Sequence, residues 1–135
     1  MKIAIAQTEI IFEQPEENLA NAAAWIAQAA AAQADCIVFP EMRVEKIAGY
    51  APKIHEKMRQ LAVQCGIAIG YGWTSQKQHG KGENHYTLLD KNGGVLSDYV
   101  KIHPFSYGGE DRFYHSGEKL TSAVLGEFSV GTLIC

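Results

Sequence analysis

A carboxylate, an ammonium and a thiol each close an apolar run in this chain: Glu41, Lys101 and Cys135. A carboxylate can take up and return a proton. An ammonium can answer negative charge as it develops on an oxygen. A thiol attacks as its thiolate. Glu41 follows Pro40 at the end of Asp35-Cys36-Ile37-Val38-Phe39-Pro40. The C-terminal end of a buried strand is where α/β folds place catalytic groups; a solvated loop glutamate or a helix cap fits the position as well. Lys101 ends Ser97-Asp98-Tyr99-Val100-Lys101, where alternation sets it on the same face as Tyr99. By itself such a lysine reads as a solubilising edge charge. Cys135 ends Gly131-Thr132-Leu133-Ile134-Cys135. It reads either as a small apolar residue or as a nucleophile at a strand end. His103, beside Pro104, reads as a turn residue and stays outside the candidate set. Cys36, inside a strand, and Cys65, beside a helix stop, read as structural.

The elements that must hold these residues follow from pattern. Residues 2–7 suit a buried first strand. Gln14-Pro15-Glu16-Glu17-Asn18 reads as a helix start, with proline and acidic residues in the first turn. The Ala-rich stretch to Ala34 forms an apolar face from Leu19, Ala22, Ala23, Trp25, Ile26, Ala29 and Ala30. A short buried strand leads to Pro40. A second helix over 52–64 carries Ile54, Met58, Leu61 and Ala62 on one side and stops at Gly66. Ile67 to Trp73 is a third strand, and Thr74 to Gly82 a polar loop. Asn92-Gly93 between two apolar runs signals a hairpin. Residues 104–119 read as a long loop, a type of segment often kept for function. Two strands, 123–125 and 128–135, close the chain. The order β-α-β-α-β followed by hairpins implies right-handed crossovers and a mixed sheet.

With 135 residues, the chain has the length of one domain. It is 47% hydrophobic and 20% charged, which excludes wholesale disorder. A formal charge of −3 argues against a nucleic-acid binder that relies on a basic surface. No apolar run approaches a transmembrane span, and the N-terminus lacks the pattern of a signal peptide. Three sparse cysteines argue against a disulfide framework and point to a reducing, cytoplasmic setting. No C-x-x-C pair and no metal site is legible.

Taken together, Val38-Phe39-Pro40-Glu41-Met42, Tyr99-Val100-Lys101-Ile102-His103 and Gly131-Thr132-Leu133-Ile134-Cys135 resemble the carbon–nitrogen hydrolase (nitrilase-like amidase) family. Lys2-Ile3-Ala4-Ile5-Ala6-Gln7, Asn18-Leu19, Glu83-Asn84, and Glu110 with Phe113, Tyr114 and Gly117 add to the resemblance, in order along the whole chain. It implies an α/β fold: an α-β-β-α sandwich of the nitrilase-like type with a mixed sheet, of which residues 1–135 are the N-terminal portion of a single domain. It also implies a Glu-Lys-Cys triad. Glu41 matches the general base, Lys101 the oxyanion-stabilising lysine and Cys135 the nucleophile. Glu110 matches a second glutamate that supports the lysine and positions substrate, with Asp111 and Glu118 as neighbouring alternatives. The implied reaction hydrolyses small carboxamides through a thioester and releases ammonia, with no cofactor or metal. Nitriles and N-carbamoyl amino acids are related substrates. A homo-oligomer is implied by family analogy.

Two departures from the family pattern set further expectations. Only Arg43 to Ala51 separate the Glu41 motif from the second helix, a short span for a pocket-shaping loop. The chain also ends on Cys135, where the family's sandwich continues. Either the sequence is the N-terminal part of an active amidase, or it is an inactive half-domain that acts through association with a partner. The 135 residues by themselves are expected to show no amidase activity.

Overall fold

The computed structural model describes residues 1–11, 14–41, 50–75 and 80–134. Its elements are β1 (Ile3–Ile5), α1 (Pro15–Ala31), β2 (Cys36–Val38), α2 (Ala51–Cys65), β3 (Ala68–Ser75), β4 (Gly82–Leu89), β5 (Val95–Val100), β6 (Tyr114–His115), β7 (Thr121–Leu125) and β8 (Phe128–Thr132).

Helix α1 begins where the proline and acidic pair predict, with Pro15 in the first turn and Glu16 and Glu17 against the positive end of the helix dipole. The Asn18 side chain ties the incoming chain to the helix. It accepts from the Ile11 N–H at 2.9 Å and donates to the Ile11 carbonyl at 2.8 Å. Leu19, Ala22, Ile26 and Ala29 are its buried stripe. Trp25, expected on that face, is instead 44% exposed, because it lies off the 19–22–26–29 line. Helix α2 buries the four expected residues Ile54, Met58, Leu61 and Ala62. Both helices cover one side of the sheet, packing on Ile37, Phe39, Ile69, Tyr71 and Leu89.

The sheet is mixed, as the element order implies. Strands β1, β2 and β3 run parallel, and β3, β4 and β5 are antiparallel neighbours. The Asn92-Gly93 hairpin is present, with Gly93 at φ +80. Its loop is wider than two residues, and the Asp90 carboxylate accepts from the Asn92 and Gly94 N–H groups. Strand β3 extends past Trp73 to Ser75, and β4 starts at Gly82, so Thr74, Ser75 and Gly82 of the predicted loop belong to the ladder. Residues 76–79 of that loop lie outside the described residues. Residues 104–119 hold two short 3-10 turns and β6, which pairs with the start of β4.

On the other side of the sheet Cys36, Ala68 and Leu88 pack with Ala123, Leu125 and Val130 of the β7–β8 hairpin. The layer order is therefore helices, sheet, hairpin. Strand β8 ends at Thr132, short of the predicted 135. β1 departs from its expected burial: Ile3 is 46% and Ile5 76% exposed. Their register with Cys36 and Val38 puts them on the hairpin side, at an edge the described part of the hairpin leaves open. An apolar run records the need for cover, not which layer supplies it.

Toward the β5 edge the helix side of the sheet becomes polar. Trp73 stacks on His85 with ring centroids 4.0 Å apart and donates to the Thr87 hydroxyl at 2.8 Å. Thr87 in turn donates to Asp98 at 2.6 Å, and His85 Nδ1 lies 2.9 Å from the same carboxylate. Burial alone would raise the Asp98 pKa, but the bonds from His85 and Thr87 outweigh it and hold the carboxyl below its ordinary value. A lowered folded pKa means that the unfolded chain binds more protons. The stabilisation is therefore complete above the ordinary carboxylate range and lost as pH falls through the folded value. Asp98 is partly exposed, so we expect Asp98→Asn to cost only about 1 kcal/mol at pH 7. Urea unfolding should show the parent–variant gap closing below pH 4. A gap that widened on acidification would contradict this reading.

Candidate active site

Glu41 stands just past the end of β2, and two contacts fix that strand end. The Phe39 N–H donates to the Gly70 carbonyl at 2.8 Å. The Tyr86 hydroxyl donates to the Phe39 carbonyl at 2.8 Å. Tyr86 reaches it across Gly70, where an added Cβ would lie 3.0 Å from the Tyr86 ring and hydroxyl. Lys101 follows β5. Its N–H donates to the Asn84 carbonyl and its own carbonyl accepts from Gly117, both at 2.8 Å. Tyr99 and Lys101 share a buried face, as alternation predicts, with 1% and 2% exposure. Lys101 is thus no solubilising edge charge. Glu110 opens the second 3-10 turn and curls back on its own loop, where its Oε2 accepts from the Phe105 N–H at 2.6 Å.

These segments converge. Lys101 Nζ lies 3.1 Å from Glu41 Oε1 and 3.2 and 2.9 Å from the two oxygens of Glu110. The Asn84 amide nitrogen donates to Oε1 of both glutamates. Lys101, Glu110 and Asn84 are buried, while Glu41 keeps a quarter of its side chain exposed. Burial would lower the Lys101 pKa, yet the bonds and charges of Glu110 and Glu41 outweigh it and raise the pKa above its ordinary value. Burial would raise Glu110. Lys101, the Phe105 N–H and Asn84 outweigh that and lower it. The result is a fixed ammonium between two carboxylates, one of them partly exposed. A cation so held can stabilise an oxyanion and is badly suited to act as a base.

Of the sequence candidates, Glu41, Lys101 and Glu110 come together. Asp111 and Glu118, the neighbours of Glu110 in the reading, are exposed and away from this cluster's hydrogen bonds. Cys135 lies outside the described residues, as do residues 42–49 of the span after Glu41. His103 is exposed, in keeping with a turn residue. Cys36 is buried and its thiol is pushed up to about 11 by burial, which suits a structural role. Among the described residues no group of three or more His, Cys, Asp or Glu is placed to hold a metal ion, and no helix is long and apolar enough to cross a membrane. Sequence reasoning missed the part of Asn84. Its signal was the Glu83-Asn84 pair among the motifs of the resemblance, to which no role was attached.

A family model described as carbon-nitrogen hydrolase matches residues 2–135. The chain belongs to the carbon–nitrogen hydrolase family. Among solved structures, the NitN amidase of Nesterenkonia sp. AN1 superposes with a TM-score of 0.90 at 22% identity, over 100% of this chain and 57% of its own. A double mutant of that amidase in complex with acrylamide gives 0.89 at 20% identity, over 98% and 55%. In another mutant, acrylamide has undergone Michael addition at the active-site cysteine; it gives 0.90 at 21%, over 100% and 57%. At these identities the likeness is one of fold, and it places the chain in the nitrilase-type sandwich. The chain spans 55–57% of the length of these amidases. No curated protein matches the chain at a significant level.

Proposed function

We propose that this chain carries the base, lysine and nucleophile of a hydrolase that cleaves carbon–nitrogen bonds in small carboxamides. The observation that carries the reading is the burial of Lys101 between Glu41 and Glu110, three residues from separate segments of a carbon–nitrogen hydrolase chain. Glu41 takes the thiol proton of Cys135 as the sulfur attacks the amide carbon. Lys101, whose ammonium has three hydrogens and spends two directions on the carboxylates, turns the third to the oxyanion. Collapse breaks the C–N bond. The proton on Glu41 passes to the leaving nitrogen, so ammonia departs and a thioester remains. Water then gives a proton to Glu41 and attacks the thioester. The carboxylic acid leaves, and the proton returns to the sulfur. Glu110 holds Lys101 charged and in place throughout.

The substrate class draws on the solved amidase, whose complexes include acrylamide and butyramide. A homo-oligomer in the cytoplasm belongs to the same proposal, by family analogy. The rival reading is an inactive half-domain that works through a partner. It draws on the open apolar edge at Ile3 and Ile5.

The test uses the protein at its natural length, checked by intact mass. It is incubated with acetamide, acrylamide and butyramide while ammonia is followed. Rapid acid quenching and peptide mass analysis then locate any acyl adduct. Ammonia release with the acyl group on Cys135 is expected. Absence of turnover, or an adduct on Cys36 or Cys65 instead, would overturn the proposal.

A further inference from the structure

Asn84 is 1% exposed and lies between the two carboxylates. One nitrogen serves both: Nδ2 donates to Glu41 Oε1 and, at 3.0 Å, to Glu110 Oε1. Lys101 also meets Glu41 at Oε1, at 3.1 Å. Among the described residues, both donors that reach Glu41 therefore fall on the same oxygen. Among the described residues, Oε2 of Glu41 receives none. The carboxylate is polarised by its surroundings: Oε1 has its lone pairs engaged, and Oε2 keeps the basic ones.

The residue type suits this task. A primary amide offers two hydrogens from one planar nitrogen and adds no charge. A serine would offer one hydrogen. An aspartate would add a third negative charge beside a single lysine. The other end of the amide shows that the nitrogen fixes its orientation. Asn84 Oδ1 is buried and has no hydrogen-bond partner among the described residues, an arrangement that costs stability. The backbone reinforces the placement, because the Asn84 carbonyl accepts from the Lys101 N–H.

We propose that Asn84 is a positioning residue that makes Oε2 of Glu41 the oxygen that takes up and returns the Cys135 proton. This rests on the amidase reading above. The transfer is a plain proton exchange: the S–H bond breaks, an O–H bond forms at Oε2, and the sulfur keeps the electron pair with which it attacks carbon. Without Asn84 the carboxylate turns about its last bond, and the two oxygens exchange roles.

The experiment compares parent, Asn84→Ala and Asn84→Ser at natural length, each confirmed as folded by circular dichroism. Cys135 alkylation by iodoacetamide is read by peptide mass from pH 6 to pH 10, beside kcat and KM for butyramide. For Asn84→Ala we expect about tenfold slower alkylation at pH 7 and a similar fall in kcat, with KM within about twofold. Above the ordinary thiol pKa of about 8.5 the alkylation deficit should vanish, because bulk base then removes the proton. Asn84→Ser, with one donor, should fall between, and it carries the test if the alanine variant does not fold. Parent-like alkylation at pH 7, or a deficit that persists at pH 10, would overturn the positioning role. If the parent itself releases no ammonia and alkylates like free cysteine, the amidase reading fails and this inference with it. An active parent with an indifferent Asn84→Ala removes the inference alone.

Discussion

Lys101→Met should lose both activity and stability, and its stability should respond to pH in the opposite sense to the parent's. The lysine donates to both Glu41 and Glu110, and both it and Glu110 are about 3% exposed at the side chain. Methionine keeps the length of the stem and removes the charge. Breaking a buried ion pair by removing one member costs roughly 3–5 kcal/mol, because the remaining charge loses its paired ammonium. Loss of a donor to the oxyanion should cost about 100- to 1000-fold in kcat for amide hydrolysis at natural length.

The pH dependence follows from the direction of each shift. Glu110 is lowered in the parent, so its contribution is present above the ordinary carboxylate range and lost as pH falls through the folded value. Lys101 is raised, so its contribution is complete below its unfolded value and lost only as pH rises through the folded one. The parent cluster is therefore secure across neutral pH. In Lys101→Met, burial acts on Glu110 without the ammonium, its largest lowering partner, so the folded state is expected to bind the proton more tightly than the unfolded one. Urea midpoints should then be higher at pH 5 than at pH 7 for the variant, and not for the parent. Parallel profiles for the two proteins would show that the buried pair does not govern this region.

The placement of the candidate residues was legible in the sequence where the strand pattern fixes it. Glu41 after a buried strand and Lys101 in register with Tyr99 both landed where the pattern put them. Even so, the residues alone left Lys101 indistinguishable from an edge charge. What separates the two states is the pair of carboxylates around it, and those come from positions 60 residues before and nine after. What separates Glu110 from Asp111 and Glu118 in the structure is the turn that folds its side chain back onto the Phe105 N–H. The part of Asn84 was illegible for a different reason. An asparagine can donate, accept or cap a turn, and only its neighbours decide which. Ile3 and Ile5 show the same limit for the fold: their pattern asks for burial, while cover depends on which element reaches that edge.

Gly117→Ala should cripple the protein through the backbone that carries Lys101. A Cβ at Gly117 would come within 2.2 Å of the Val100 carbonyl oxygen, 2.8 Å of its carbon and 2.9 Å of its Cβ. Carbonyl groups in a strand cannot swing aside as a flexible side chain can, so one of the two segments must retreat. Retreat breaks the bond from the Gly117 N–H to the Lys101 carbonyl. It also loosens the end of β5, where Lys101 begins its reach to Glu41 and Glu110. Forcing one extra carbon into such a contact costs typically 1–3 kcal/mol. The lost hydrogen bond adds about 1 kcal/mol. A displacement of about 1 Å at the lysine can cost about 100-fold in rate. Gly131 supplies the control. Among the described residues, a Cβ there meets only the Thr121 carbonyl oxygen, at an ordinary 3.7 Å. Gly131→Ala should therefore stay within about 0.5 kcal/mol of the parent. Thermal unfolding and butyramide hydrolysis, measured on both variants, separate the two positions. Equal stability for both would mean that the segment around Gly117 yields freely, and that the hold on Lys101 comes from its side-chain partners rather than from its backbone.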